Sequence, residues 1–209
     1  MITNVYVDGF NLYYGCLKGT PYKWLDLDAL SRRLLPRDNI RRIRYFTART
    51  TPRTGHNGHI RQEIYHRALA TIPHLSIHLG YFQQTIARMP LAYPQAGGPT
   101  AVEVIKTEEK GSDVNLAAHL IADAFLGDCD IAVVMSNDGD LAEPIRIVRH
   151  QLGLPVGVLN PFPVTRRARA LERVPPTFFK QIRPSELRVS QFPDVVHDHQ
   201  GKITRPFDW

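Results

Sequence analysis

The chain has 209 residues, of which 43% are apolar, and a formal net charge of +6. A chain of this size can bury a core of its own, so we expect one large domain that needs no disulfide bonds. Cys16 and Cys129 match no metal-ligand spacing and are expected to be free thiols in a reducing compartment. No segment approaches the roughly 20 apolar residues that cross a bilayer, and the N-terminus lacks a cationic leader. These features argue against secreted and membrane-spanning proteins, and we expect a cytoplasmic one.

Short apolar runs alternate with helical patterns along the first 160 residues. Strands are predicted at Ile2–Val7, Ile40–Thr47, Leu75–Tyr81, 131–136 and 155–159. Helices are predicted at Asn11–Leu17, Leu27–Leu35, Gly58–Ile72, 113–126 and 140–151. This regular alternation is typical of an α/β fold with a central parallel sheet flanked by helices.

Two regions depart from this alternation. Residues 82–110 hold several prolines and glycines between two β-prone stretches, Gln83–Ile86 and Ala101–Lys106, which predicts an inserted hairpin or flap. Beyond Asn160 the chain is rich in proline, with one short strand predicted at Thr177–Ile182. The last 25 residues are predicted to form an extended arm anchored by Phe192, Phe207 and Trp209. We therefore expect a domain over residues 1–160 and an extension over residues 161–209 that packs on it.

Positive charge is concentrated between Arg32 and Arg67, a segment that contains ten arginines and only two acids, Asp38 and Glu63. Arginine presents a planar set of donors that suits phosphate oxygens, so this segment is a candidate footprint for a polyanion such as RNA. The candidate substrate-binding residues in it are Arg49, Arg53 and Arg61. The alternative is a solvated basic surface without a partner.

Aspartates recur where the predicted strands end. Asp8 follows the first strand, and Asp138 and Asp140 follow the strand at 131–136. Asp113 opens a helix that leads into that same strand, so it starts on the same side of the sheet. Because ligands of open parallel sheets bind outside the carboxyl ends of the strands, all four carboxylates are expected at one edge.

Each of these aspartates also has a structural explanation, since aspartate caps helices and forms tight turns. Four carboxylates at one edge would nevertheless repel one another unless a cation neutralised them. Oxygen ligands of this kind favour Mg²⁺ or Mn²⁺ over zinc. The predicted metal ligands are Asp8, Asp113 and Asp138, with Asp140 as a further catalytic candidate.

Several neighbouring polar residues are candidates for supporting roles. Asn11 is placed to orient a ligand or a water, and Ser136 offers a hydroxyl at the strand end. Lys110 and Asn137 are candidate substrate contacts. His119 lies roughly 9 Å along the helix from Asp113, where it either contacts substrate or forms a structural pair with Asp123, four residues later.

Three segments resemble the NYN domain family, a branch of the PIN-like nucleases. They are VYVDGFNLYY at 5–14, KGSDVNLAAHLIADAF at 110–125 and VVMSNDGDLAEPIRIV at 133–148, and the resemblance covers roughly residues 1–160. It implies a PIN-like fold and a ribonuclease that uses clustered aspartates and a divalent metal, with Asp8, Asp113, Asp138 and Asp140 in the matching positions.

Two positions depart from that family pattern. His119 stands where many relatives carry an acid, and Ser136-Asn137-Asp138 replaces a common serine-glycine-aspartate. The additional acid that many PIN-like sites take from a helix nearer the N-terminus has only weak counterparts, namely Asp26, Asp28 and Glu63.

The leading hypothesis is therefore metal-dependent hydrolysis of single-stranded or structured RNA. A second hypothesis is a regulatory protein that binds RNA without cleaving it, to which the replacement of an acid by His119 points. A third is hydrolysis of small phosphorylated molecules, against which the chain shows no phosphate-binding glycine loop of the P-loop pattern. The sequence leaves open whether the protein forms a homodimer.

Overall fold

The computed structural model of the protein describes residues 1–50, 57–207 and 209. The strands are β1 (Ile2–Asp8), β2 (Asn39–Ala48), β3 (Leu75–Pro90), β4 (Ala101–Lys110), β5 (Ile131–Met135), β6 (Val156–Asn160), β7 (Phe178–Gln181), β8 (Val195–Asp198) and β9 (Gly201–Thr204). The α-helices are α1 (Gly9–Leu12), α2 (Leu27–Leu34), α3 (Gly58–Leu69), α4 (Ser112–Phe125), α5 (Ala142–His150), α6 (Arg169–Arg173) and α7 (Pro184–Val189). A π-helical turn, Tyr13–Leu17, continues α1.

Strands β1 to β7 form one sheet in the order β4-β3-β2-β1-β5-β6-β7. Every neighbouring pair is parallel except β3 and β4, which are antiparallel. The predicted α/β fold with a central, mainly parallel sheet is confirmed. Because β1 lies between β2 and β5, the carboxyl ends of β1 and β5 are adjacent, and the residues that follow them meet.

Helices cover both faces of the sheet. Along β1, Val5 and Val7 face one core, in which α2, α3 and α7 bury Leu30, Leu69 and Leu187. Tyr6 faces the opposite core, to which α4, α5 and α6 contribute buried leucine, isoleucine and valine side chains. Side chains of a strand alternate between the faces, so β1 is buried on both sides.

The predicted insert is a long antiparallel hairpin. The strand predicted at Leu75–Tyr81 and the stretch Gln83–Ile86 form one continuous strand, β3, whose outer half pairs with β4 from Tyr81↔Lys110 to Pro90↔Ala101. This pairing supplies the backbone hydrogen bonds that carry β3 past the edge of the parallel sheet.

The segment after residue 160 is more regular than the predicted extended arm. Strand β7 completes the central sheet, and α7 and the β8–β9 hairpin follow it. Phe192 and Trp209 pack against Trp24, whereas Phe207 is fully exposed and anchors nothing. The division of the chain at residue 160 stays a prediction.

Neither cysteine of the chain forms a disulfide bond: Cys16 is partly buried and Cys129 is buried. Among the described helices, none combines the length and the apolar character that a bilayer span requires.

Candidate metal centre

Three carboxylates converge at the carboxyl ends of β1 and β5. One oxygen each of Asp8, Asp113 and Asp138 lies within 4.8 Å of the others, and Asp8 is buried. Asp8 ends β1, Asp113 lies in the first turn of α4, and Asp138 precedes the short 3-10 turn Gly139–Leu141 after β5. Together they line a cleft of about 290 Å³. The structure thus brings together the three residues predicted to bind metal.

Asp8 is held in place by hydrogen bonds to both of its carboxylate oxygens. The Asn11 backbone N–H donates to Oδ1 at 2.9 Å, and the Ser136 hydroxyl donates to Oδ2 at 2.8 Å. The same hydroxyl accepts a hydrogen bond from the Asp138 backbone N–H at 3.0 Å. Ser136 therefore links the two strand-end aspartates and fixes their spacing.

Two of the four aspartates, Asp8 and Asp138, also cap turns. Asp113 and Asp140 do not cap α4 and α5, because the N-cap residues of these helices are Gly111 and Leu141. Asp8 caps α1, and Asp138 accepts a hydrogen bond from the Asp140 backbone N–H at 2.9 Å at the start of the 3-10 turn. Each cap uses one face of a carboxylate oxygen, and an oxygen has a second lone pair for another partner. Capping a turn and binding a metal are therefore compatible for these two residues.

Asn11 and Asn137 connect the two loops of the site. Asn11 Oδ1 accepts from the Asn137 backbone N–H at 2.8 Å. The Asn137 side chain donates to the Arg166 carbonyl at 2.8 Å and accepts from the Ala168 backbone N–H at 3.0 Å. Both polar atoms of this side chain hold the segment after β6, a role that the sequence did not indicate.

The electrostatics of the cleft favour a cation. Burial raises the pKa of Asp8 to about 7, and the charges of Asp113 and Asp138 raise it as well, against the lowering effect of its hydrogen bonds to Asn11 and Ser136. Burial and the neighbouring carboxylates, that of Asp138 first, raise the pKa of Asp113 to about 6. Such shifts mark a site in which negative charge is not compensated by the protein.

Glu109, which the sequence analysis did not select, also lines this cleft. Its two carboxylate oxygens accept from the backbone N–H of Ser112 at 3.0 Å and from the Ser112 hydroxyl at 2.8 Å. Glu109 thereby supports the start of α4, where Asp113 lies. Its place in the sequence, at the end of a β-prone stretch and four residues before Asp113, was the available signal.

The three weak candidates for an additional acid in the metal site have other partners instead. Asp26 caps α2, Asp28 bonds to Arg32 and His74, and Glu63 pairs with Arg49. The acid that adjoins the three aspartates is instead Glu109, with the exposed Asp140 close enough to contribute to the raised pKa of Asp113.

The arginine-rich segment is not a single uncompensated patch. Acids from elsewhere in the chain face it, and at least six of its arginines form ion pairs: Arg32, Arg41, Arg42, Arg44, Arg49 and Arg67. Lys110 lies at the end of β4 and pairs with Glu108 at 3.5 Å. Arg53 falls outside the described residues. Substrate contacts by these cations stay a prediction.

His119 lies in an aromatic cluster on α4. Its ring centroid is 4.2 Å from that of His78 and 5.8 Å from that of Phe46. Asp123, the residue proposed as its structural partner, instead accepts hydrogen bonds from Nε and Nη2 of Arg44 at 2.8 Å each and from the Tyr6 hydroxyl at 2.8 Å. Burial lowers the pKa of His119, as does the charge of Arg44. His119 therefore packs in this cluster and does not pair with Asp123, and its contact with substrate stays a prediction.

We expect the substitution His119→Ala to change the Mn²⁺ dissociation constant by no more than about twofold, because substitutions at separated sites act independently. Asp113→Asn, which removes a candidate ligand on the same helix, is expected to weaken binding by more than about tenfold. Calorimetric titration of both variants with Mn²⁺ measures the difference. Equal weakening by the two substitutions would place His119 in the metal site.

Comparison with known proteins places this geometry in a family. The sequence model of the NYN domain matches residues 2–182, which include all three aspartates of the cleft. The chain belongs to the NYN domain family. An NYN domain has a PIN-like nuclease fold, as the resemblance implied, and the match extends beyond residue 160 to include β7.

Two similar proteins extend the comparison. The 6-hydroxy-3-succinoylpyridine 3-monooxygenase of Pseudomonas putida is 32% identical over 234 aligned positions, which cover 99% of this chain and 75% of that protein. A crystal structure of a Vibrio parahaemolyticus protein of unknown function superimposes with a TM-score of 0.54 at 17% identity, over 87% of this chain and 93% of that one. The second likeness concerns the fold alone.

Proposed function

We propose that this NYN domain protein is a metal-dependent endoribonuclease that hydrolyses RNA phosphodiester bonds. The observation that carries the proposal is the approach of the Asp8, Asp113 and Asp138 carboxylates to within 4.8 Å at the carboxyl edge of a nuclease-like fold. In this proposal residues 1–160 carry the nuclease domain, and residues 161–209 pack on it as an extension.

The donor set fits Mg²⁺ or Mn²⁺. Asp8, Asp113 and Asp138 would hold the ion through carboxylate oxygens, which are the ligands that these cations prefer. A bound ion would supply Lewis-acid activation of a phosphoryl group and lower the pKa of a coordinated water. It would also relieve the repulsion that raises the pKa of Asp8 and of Asp113.

The protein's own side chains would position these groups. Ser136 and the backbone of Asn11 hold the Asp8 carboxylate, and Glu109 holds the helix start that carries Asp113. Lys110, beside the cleft, can exchange its Glu108 partner for an RNA phosphate. Groups that are held in position before the substrate binds lower the barrier to reaction, because they need no rearrangement at that moment.

Cleavage of a labelled single-stranded RNA with Mg²⁺ or Mn²⁺ tests the proposal. We expect the double variant Asp8→Asn, Asp138→Asn to lose at least about a thousandfold in rate, and EDTA to abolish cleavage by the wild type. Asp194→Asn, in an aspartate whose side chain is 84% exposed, is the matched control and should cleave at the wild-type rate.

Equal rates for wild type and double variant would contradict the ribonuclease proposal. Salt-sensitive RNA binding that persists in the double variant, without cleavage by the wild type, would assign the chain to non-catalytic RNA-binding proteins instead.

A second candidate follows from the Pseudomonas putida relative, whose name states monooxygenation of 6-hydroxy-3-succinoylpyridine. The identity of 32% over 99% of this chain favours a related oxygenation by the present protein. It would need dioxygen and an external two-electron reductant such as NADH. Oxygen uptake with that pyridine and NADH, in the absence of RNA cleavage, would favour this candidate over the ribonuclease.

A further inference from the structure

A second cavity adjoins the acidic cleft. It has a volume of about 340 Å³, and Phe10 and Tyr14 line both it and the cleft. This volume lies within the range of about 300–1,000 Å³ that is typical of small-molecule sites. The aromatic residues among its described walls are Phe10, Tyr13, Tyr14, Tyr45, Tyr65 and Trp209.

The aromatic walls hold one another in place. Tyr65 contacts Tyr45 edge to face with a centroid distance of 6.4 Å and Trp209 with a centroid distance of 5.6 Å. The Tyr65 hydroxyl donates to the Leu25 carbonyl at 2.8 Å, which fixes the ring. Tyr13 and Tyr14 contact each other at 5.3 Å. A preformed cavity of aromatic walls offers flat surfaces on which a planar ring can stack.

Polar groups among the walls favour a ring with heteroatoms over a hydrocarbon. His59 lines the cavity, and its Nδ1 is buried without a hydrogen-bond partner among the described side chains and backbone. A ring nitrogen or an exocyclic oxygen or amine of a ligand can form a hydrogen bond with the imidazole of this wall residue. The walls also include the cationic side chains Lys23 and Arg61, which suit a ligand that carries negative charge.

We propose that this cavity binds a planar heteroaromatic ring beside the metal centre. The proposal rests on the ribonuclease function and deepens it: the ring is an unstacked nucleobase of the RNA, next to the phosphate that enters the acidic cleft. A free heteroaromatic acid offers the same ring and charge, and the experiment separates the two sources.

Binding is measured in EDTA, without turnover, by the quenching of tryptophan fluorescence. Trp209 lines the cavity, and the ring centroid of Trp24 lies 6.4 Å from that of Trp209. The fluorescence of both tryptophans should therefore respond to a stacked ring. We expect saturable quenching by adenosine and uridine, and none by ribose, which lacks the base. The Asp8→Asn variant should bind the nucleosides as the wild type does, because the metal ligands are not part of the ring site.

The double variant Tyr13→Ala, Tyr14→Ala should bind the nucleosides at least about tenfold more weakly. Both side chains are partly exposed, at 36% and 58%, so their loss leaves the core intact. Tyr93→Ala, in a tyrosine that is 94% exposed on the β3–β4 hairpin, is the matched control and should bind normally.

The source of the ring is then read from a comparison with 6-hydroxynicotinate. Weaker binding of this pyridine acid than of the nucleosides assigns the cavity to a base of RNA, and tighter binding assigns it to a free heteroaromatic acid. The absence of quenching by any ring compound, equal quenching by ribose, or unchanged affinity in the Tyr13, Tyr14 variant would overturn the proposal. Ring binding without RNA cleavage would leave the ring site standing and remove only the ribonuclease function.

Discussion

Replacing Asp8 by asparagine is expected to stabilise the metal-free protein at pH 8 and to remove most of the stabilisation that Mn²⁺ provides. The pKa of Asp8 is raised from its ordinary value of 3.8 to about 7. The folded protein therefore binds more protons than the unfolded chain between about pH 4 and pH 7. The contribution of Asp8 to the free energy of unfolding is fully present below pH 4 and is lost as the pH rises through 7.

Asparagine avoids this loss because it carries no charge and can keep both contacts, with Oδ1 accepting from Asn11 and Nδ2 donating to Ser136. We expect a gain of about 2 kcal/mol in EDTA at pH 8, or about 5 °C in Tm. At pH 5 the gain should fall to roughly half or less, since Asp8 is then protonated in the folded wild type, and below about pH 4 it should disappear, since the unfolded chain is protonated as well. Thermal melts at both pH values, with EDTA or Mn²⁺, measure these differences.

The exposed Asp194→Asn variant is the control for both conditions. It should melt like the wild type in EDTA and show the full Mn²⁺ shift, which for a ligand at a hundred times its dissociation constant amounts to about 2.7 kcal/mol. An Asp8→Asn variant that is less stable than the wild type in EDTA at pH 8, or that retains the full Mn²⁺ shift, would show that Asp8 is a structural cap and not a metal ligand.

The second large effect concerns the ion pair between Arg44 and Asp123. The two side chains are only 12% and 7% exposed, and Arg44 donates two hydrogen bonds to the carboxylate. The substitution Arg44→Met would leave the Asp123 charge buried, with the Tyr6 hydroxyl as its one remaining side-chain donor among residues 1–50, 57–207 and 209. We expect a loss of about 3 kcal/mol in the free energy of unfolding, because an unpaired buried charge is strongly destabilising.

Chemical denaturation of three variants isolates this charge effect. The double variant Arg44→Met, Asp123→Leu should recover much of the loss, because it removes both charges from the low-dielectric interior. Arg146→Met, which breaks an exposed pair with Glu143, should unfold at the same denaturant concentration as the wild type. A double variant as unstable as Arg44→Met would mean that packing, not the charge, causes the loss.

The convergence of the three aspartates could be predicted because it follows from topology. Asp8 and Asp138 follow apolar runs predicted as strands of one parallel sheet, whose carboxyl ends share an edge, and Asp113 opens the helix that leads into the second of them. The fold was predictable for a similar reason, since short apolar runs that alternate with helical patterns indicate a parallel sheet with helices on both faces.

Features that depend on contacts between distant elements were not predictable. Arg44 contacts Asp123 because Arg44 is paired with Tyr6 in the β1–β2 register and α4 packs on the same face of the sheet. The sequence shows neither the strand register nor which side of α4 faces the sheet. Glu109 enters the cleft because the β3–β4 hairpin ends beside α4. The aromatic cavity takes one wall from Trp209, near the C-terminus, which no local pattern could place.

The position of β1 at the centre of the sheet has a consequence for folding. Its neighbour β5 lies more than a hundred residues later in the chain, and the Ser136–Asp8 hydrogen bond joins positions 128 residues apart. On a ribosome, β1 therefore emerges long before β5 and keeps one edge unpaired until β5 has been synthesised. Long-range pairing of this kind slows folding and exposes apolar surface meanwhile. The nascent protein is thus most vulnerable to aggregation before β5 has emerged, and the acidic cleft can form only after that vulnerable interval ends.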